Sequence, residues 1–340
     1  LQLDHAVLRQ RRCRLQGIGI MKKVIFWGTR GSLPVALTAS DVRQKITAAL
    51  TAANGKTFGT SAALNEFIEH LPFTTRGTFG GNSSCVEIVT GGHEHIICDM
   101  GSGARPLGHA KIAAFGALNP QTYHIFISHL HWDHLMGFPF FAPMYIPGNR
   151  IVIHGCHAKI ETAFKLQMSA PCFPVDYSQA GAKIEFDIMT PGKTQFIAGI
   201  NVMPKLQLHE GDSYGYRFDS IDRRVVYSTD SEHKLDSSSE HEDYVKFFNK
   251  ADLVIFDAMY SLAEAVSVKA DWGHSSNMVG VELCQAAKAK RLALFHHEPM
   301  HDDKQLSRLL SETRRLEEIT RASHGPLEVI SAYDGLTVTL

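Results

Sequence analysis

Three imidazoles and a carboxylate fall within six residues, at His129, His131, Asp133 and His134, directly after the apolar run that ends at Ser128. The period-2 alternation from His124 to Ser128 predicts a strand, and a strand of that kind would deliver the cluster to a sheet edge, where a loop can turn several side chains inward. Imidazole combined with carboxylate suits zinc or a similar borderline cation. The segment therefore reads as a metal site and not as a solvated histidine-rich loop.

The order His-x-His-x-Asp-His resembles the signature of the metallo-β-lactamase fold superfamily. That resemblance calls for a third histidine after a later strand, an aspartate after another, and a last histidine ending a strand near the C-terminus. The chain supplies them as Val202 to His209, Val225 to Asp230 and Arg291 to His296, each ligand closing a hydrophobic run. By the resemblance, His129, His131 and His209 hold one metal, Asp133, His134 and His296 hold another, and Asp230 is shared. The implied cofactors are two divalent ions, zinc in the first instance, with manganese or iron able to occupy the same ligands. Such a pair would supply a bridging hydroxide. Zinc lowers the pKa of a bound water from about 15.7 to about 7, worth roughly 12 kcal/mol at 1.36 kcal/mol per unit.

The strings Phe26 to Pro34, Gly80 to Cys85, Asp99 to Gly103 and Ser213 to Phe218 are similar to the superfamily's phosphodiesterase branch, which includes tRNase Z and the cyclic phosphodiesterase of phosphonate utilisation. The implied function is hydrolysis of a small, conceivably cyclic, phosphodiester. The rival readings are a lactone, thioester or halogenated-aromatic hydrolase using the same site, and a metal-binding sensor without catalysis. In this branch a histidine paired with an acid acts near the leaving group, and His274 with Asp257 matches it. Asp133, His274 and Asp257 are thus the candidates for catalytic roles. Arg30, Asn82 and Ser83 lie in glycine-flanked loops that let backbone approach a ligand, and they are the candidate phosphate contacts. His297 and His301 read as surface groups.

Composition bounds the partners. The chain has 340 residues, of which 44% are hydrophobic and 20% charged, and a formal net charge of −1. That balance fits one globular unit and offers no electrostatic footprint for a polyanion, so nucleic acid is disfavoured as a partner and a small molecule is favoured. No apolar run is long enough to span a membrane. The six cysteines are scattered without a Cys-x-x-Cys pair, which points to reduced thiols and a cytoplasmic location.

The expected fold is α+β, a four-layer αβ/βα metallo-β-lactamase sandwich over residues 21–340. Residues 1–20 are expected to be a flexible N-terminal extension. Residues 33–76 form a helical insertion with one helix after an N-cap at Ser40 and a second over Ser61 to His70. Because both its ends are glycine-rich loops, the insertion is expected to act as a cap, the alternative being a homodimer interface. Leu327 to Leu340 reads as a hairpin turned at Asp334-Gly335.

Overall fold

In the computed structural model the described residues are 19–92, 94–233, 238–260, 273–322 and 324–340. The extension expected over residues 1–20 lies outside them, save Gly19 and Ile20, whose backbones hydrogen-bond Gly199 and Gly91.

Two seven-stranded sheets form the centre. The first contains β1 (Met21–Gly28), β2 (Cys85–Thr90), β3 (Glu94–Cys98), β4 (Thr122–Phe126), β5 (Arg150–Gly155) and β6 (Lys183–Ile188). The second contains β7 (Gln195–Ile197), β8 (Ile200–Gln207), β9 (Ser213–Asp219), β10 (Arg224–Ser228), β11 (Leu253–Asp257), β12 (Arg291–Phe295) and β13 (Glu328–Ser331). The last strand, β14 (Thr337–Thr339), returns to the first sheet beside β1. In each sheet one half pairs antiparallel and the other parallel. β11, Leu-Val-Ile-Phe-Asp, is buried at every position, as a strand covered on both faces must be.

Between the sheets, Phe26 and Phe126 of the first meet Phe218, Tyr227 and Phe295 of the second. Phe126 and Phe218 stand edge to face at 5.2 Å, the arrangement that the ring quadrupole favours. Cutting either ring to alanine would cost about 3–5 kcal/mol.

Three helices belong to the insertion, α1 (Ala39–Ala53), α2 (Ser61–His70) and α3 (Phe73–Arg76). Outside the first sheet lie α4 (Ala104–Phe115), the short α5 (Trp132–Leu135) and α6 (Ile160–Gln167), sharing a core with its outer face. Outside the second lie α7 (Ser238–Phe248), α8 (Asn277–Ala286) and α9 (Asp303–Thr320). The layers run helix, sheet, sheet, helix, as expected from the sequence.

Two local expectations are corrected. α1 is capped by Thr38, not Ser40: the Thr38 side chain accepts from Asp41 N–H and the Asp41 carboxylate accepts from Thr38 N–H, a reciprocal pair that Ser40 is too far along to make. Leu327 to Leu340 is not a hairpin, because β13 pairs with β12 and β14 with β1. The reason lies in Asp334. Its carboxylate accepts from the backbone N–H groups of Gly81 and Asn82 and from the Thr29 hydroxyl, pinning the segment to first-sheet loops as it crosses between the layers.

Candidate metal centre

Strands running in the same sense end at one edge, and the ligand candidates stand there. His129, His131, Asp133 and His134 follow β4, His209 follows β8, Asp230 follows β10, Asp257 closes β11 and His296 follows β12. Three residues at these ends adopt left-handed backbone: Asp99 at φ 59°, Asp230 at 49° and His296 at 58°. A non-glycine residue held there costs about 1–3 kcal/mol and persists only where its surroundings over-determine it. The sheets hold these side chains against that cost.

The donors converge in two sets. His129 Nε2 lies 2.9 Å from His131 Nδ1, which is 3.3 Å from His209 Nε2. In the second set, Asp133 Oδ2 is 3.0 Å from His134 Nε2 and 3.2 Å from His296 Nε2. Asp230 faces both. Its Oδ1 is 3.7 Å from His129 and 3.9 Å from His209, and its Oδ2 is 3.3 Å from both His134 and His296. Each set, three imidazoles in the first and two imidazoles with a carboxylate in the second, has its donor atoms within 4.8 Å of one another, close enough to share a cation. The donor chemistry fits a metal: nitrogens at these separations repel unless protons or cations lie among them, and N/O donors of this kind are the ones zinc takes.

Charge in the cluster is finely opposed. Burial pushes the imidazolium forms of His129 and His131 down. For His134 burial acts the same way, but the carboxylates of Asp133, Asp230 and Asp99 outweigh it and raise the pKa. Burial likewise pulls against ionised Asp133 and Asp230. For Asp133 the rings of His134 and His296 prevail, and for Asp230 those of His296, His134 and His129, so both stay well below the usual carboxylate range.

A second ring of contacts orients these groups. Fully buried Asp99 accepts from Ser128 N–H and Oγ–H, from the Tyr227 hydroxyl and from His134 Nδ1, which leaves His134 Nε2 aimed at the cluster. His209 Nδ1 donates to the Gly273 carbonyl at 2.8 Å, so its Nε2 likewise points inward. Gly273, at φ +78°, must be glycine here, since a Cβ would stand 2.4 Å from the His209 ring. Ser32 N–H donates to Asp133 Oδ2. Sequence reasoning missed Tyr227, Ser32 and the Gly273 carbonyl, because nothing local marks a backbone group or a core tyrosine that acts across a fold.

His274 sits beside both sets. Its Nδ1 is 2.8 Å from Asp257 Oδ2 and 3.9 Å from Asp230 Oδ1. Asp257 is fixed in turn by the N–H groups of Met259 and Ser231. Burial would lower the His274 pKa, but Asp257 and then Asp230 outweigh it and raise it to about 9.

The three candidate phosphate contacts are occupied within the loops. Buried Arg30 donates to the carbonyls of Gly80, Glu298 and His301. Asn82 donates through its amide to Asp334 and accepts from Ser102, while the Ser83 hydroxyl accepts from Ser102 N–H. His297 is buried, not a surface group, and bonds the Ala332 carbonyl. A cavity of about 300 Å³ lies between α1 and the start of α9, lined in part by Arg30, Lys45 and Asp303. Among the described residues no helix is long and apolar enough to cross a membrane.

Comparison with known proteins agrees with this fold. A family profile described as the beta-lactamase superfamily domain matches residues 106–297. Ribonuclease Z of Pyrococcus furiosus is 23% identical over 265 residues, covering 62% of this chain and 79% of that protein. The metallo-beta-lactamase fold protein YhfI from Bacillus subtilis superposes with a TM-score of 0.59 at 17% identity, over 94% of this chain and 99% of that one. A diphosphatase of the PhnP family superposes at 0.57 with 18% identity, over 94% and 98%. The chain belongs to the beta-lactamase superfamily and is a hydrolase of the metallo-β-lactamase fold.

Proposed function

We propose that this hydrolase uses two divalent metal ions, zinc first among them, to cleave a small phosphodiester. One observation carries the reading: the two carboxylate oxygens of Asp230 face two separate donor sets, with the Asp257–His274 pair alongside. His129, His131 and His209 would hold one ion, Asp133, His134 and His296 the other, and Asp230 both. When bound, the ions activate water and neutralise charge on the phosphoryl oxygens.

The remaining work falls to the chain. Asp257 accepts the Nδ1 proton of His274, fixing the ring so that its Nε2 can give a proton to the departing ester oxygen as the P–O bond breaks and the bond to the water oxygen forms. Ser32 N–H holds Asp133 in register with His134. The Arg30, Asn82 and Ser83 side chains hold bonds that brace the loops, and we assign them to bracing. The name ribonuclease Z and the diphosphatase of the structural relative support phosphoryl chemistry, and the near-neutral charge favours a small substrate over RNA. The unpaired cysteines Cys85, Cys98, Cys156, Cys172 and Cys284 fit a reducing cytoplasm.

A substrate panel tests the reading. Chromogenic phosphodiesters and cyclic nucleotides should turn over faster than a lactone, a thioester or an unprocessed tRNA. Preference for the lactone or thioester would move the site to acyl chemistry, preference for the tRNA would restore an RNA substrate, and no turnover by metal-loaded protein would favour the sensor reading.

A further inference from the structure

We infer that helices α1 and α2 of the insertion form a two-fold interface with a second copy of this chain. The orientation of α1 is the first reason. Asp41, Lys45, Ala49 and Ala53 are its half-buried positions, and Lys45 is clamped to Asp303 and to the carbonyls of Thr74 and Gly77. The aliphatic positions lie one residue on, about 100° round the helix, and face outward: Val42 is 44% exposed, Ile46 54% and Leu50 68%. On α2, Leu64 is 40% and Ile68 38% exposed. Neither helix has a buried residue.

An isolated helix shorter than about 12–15 residues is marginal in water, and most helices in proteins are stabilised by packing an apolar face. Here α2 runs only from Ser61 to His70, and its half-buried position is Phe67, whose ring meets Phe58 at 5.0 Å. Among the described residues its Leu64 and Ile68 are left about two-fifths exposed.

Area and charge select the occupant. The five aliphatic side chains leave on the order of 400 Å² exposed, and the alanines and threonines between them bring the two helices toward the roughly 800 Å² per partner of a stable interface. Residues 33–76 carry Arg43, Lys45, Lys56 and Arg76 against Asp41, Glu66 and Glu69, with Lys45 and Arg76 already paired to Asp303 and Glu69. That near-neutral, aliphatic surface lacks the cationic face and aromatic anchors of a membrane-bound helix. A second copy supplies what the first lacks. Exposed Arg43 on α1 and Glu66 on α2 make no ion pair among the described residues, and two-fold pairing of α1 with the other copy's α2 would bring opposite charges together beside matching aliphatic faces.

Sedimentation equilibrium of the full-length, metal-loaded protein at micromolar concentration decides the matter. Wild type should be a dimer, and Ile46→Glu with Ile68→Glu should raise the dimer Kd on the order of 100-fold or more while leaving metal content and thermal unfolding of the monomer intact. If that variant fails to fold, the charge swap serves instead: Arg43→Glu should weaken the dimer, and Arg43→Glu combined with Glu66→Arg should recover it. A monomeric wild type overturns the inference, whether or not it binds anionic vesicles. So does a dimer that neither the double glutamate variant nor Arg43→Glu weakens.

Discussion

The sandwich holds two groups of histidines, one at the strand ends shared by both sheets and one within the first sheet, and they behave in opposite ways. At the ends of β4, β8 and β12, imidazole nitrogens converge on Asp133 and Asp230. Midway along the strands, His124 of β4 and His154 of β5 lie stacked with ring centroids 5.2 Å apart. There the nitrogens form a chain: His124 Nδ1 to His154 Nε2 at 2.9 Å, then His154 Nδ1 to Asp187 at 2.9 Å. The first group gathers donors around points that a cation can occupy, whereas the second links its nitrogens in a chain, with His124 Nε2 3.4 Å from Glu94. Residue type is the same in both, so convergence of lone pairs, not histidine count, marks the candidate metal centre.

Removing the shared carboxylate should erase the contrast. Asp230→Ala is expected to lower occupancy of both metals and to reduce kcat/KM by on the order of 10³-fold or more, since several kcal/mol of charge stabilisation depends on the pair. Metal analysis beside steady-state kinetics would show it, and unchanged occupancy would remove Asp230 from the shared position. Next in size, His274→Ala should keep both metals yet lose roughly 10²–10⁴-fold in kcat, with a smaller loss on nitrophenolate esters, whose leaving group needs no proton. Loss of a metal equivalent in this variant would make His274 a ligand.

Which of these features the sequence disclosed follows from how local they are. The converging histidines and aspartates were legible because each ends a run of strand-forming residues, and the four-layer architecture was implied by the resemblance to the metallo-β-lactamase fold superfamily, which the order of strands and helices matches. Asp334-Gly335 misled because its turn chemistry is genuine but its carboxylate is bound to Gly81 and Asn82, far away in sequence. Thr38 was passed over for Ser40 although Asp41 three residues on completes its capping pair. The outward turn of Val42, Ile46 and Leu50 was not legible, since it is set by the Lys45 clamp to Asp303 on another element. Nothing local marks the bracing role of Arg30, whose Nε and Nη1 donate to three carbonyls supplied by distant loops.

A finer test reaches the contacts behind the ligands. Asp99→Asn should weaken metal binding by about 10–100-fold, the usual cost of losing an orienting carboxylate, because His134 Nδ1 loses its charged acceptor. Competition with a chelator reads this directly, and an unchanged affinity would reduce Asp99 to a structural role.

The smallest effect belongs to the other histidine group and concerns stability. Burial, aided by His124 and Arg150, lowers the His154 pKa from 6.5 to about 4 despite the opposing Asp187 carboxylate. With the folded value depressed, the contribution is complete above pH 6.5, where neither state takes a proton there. It declines as pH falls toward 4, because only the unfolded chain gains one. The window corresponds to about 3 kcal/mol at most. Denaturant titrations at pH 7 and pH 4.5 should show a steeper loss for wild type than for His154→Asn, with metal content unaltered in the variant at pH 7. Equal slopes would place the pH dependence elsewhere.

This edge of the sandwich is proposed to hold two ions through one shared carboxylate. Elemental analysis of the purified, exhaustively dialysed protein, paired with activity on a chromogenic phosphodiester, tests it most directly. Close to two equivalents of transition metal per chain, with activity lost as the second equivalent is stripped, is the predicted result. Full activity with a single equivalent would contradict it.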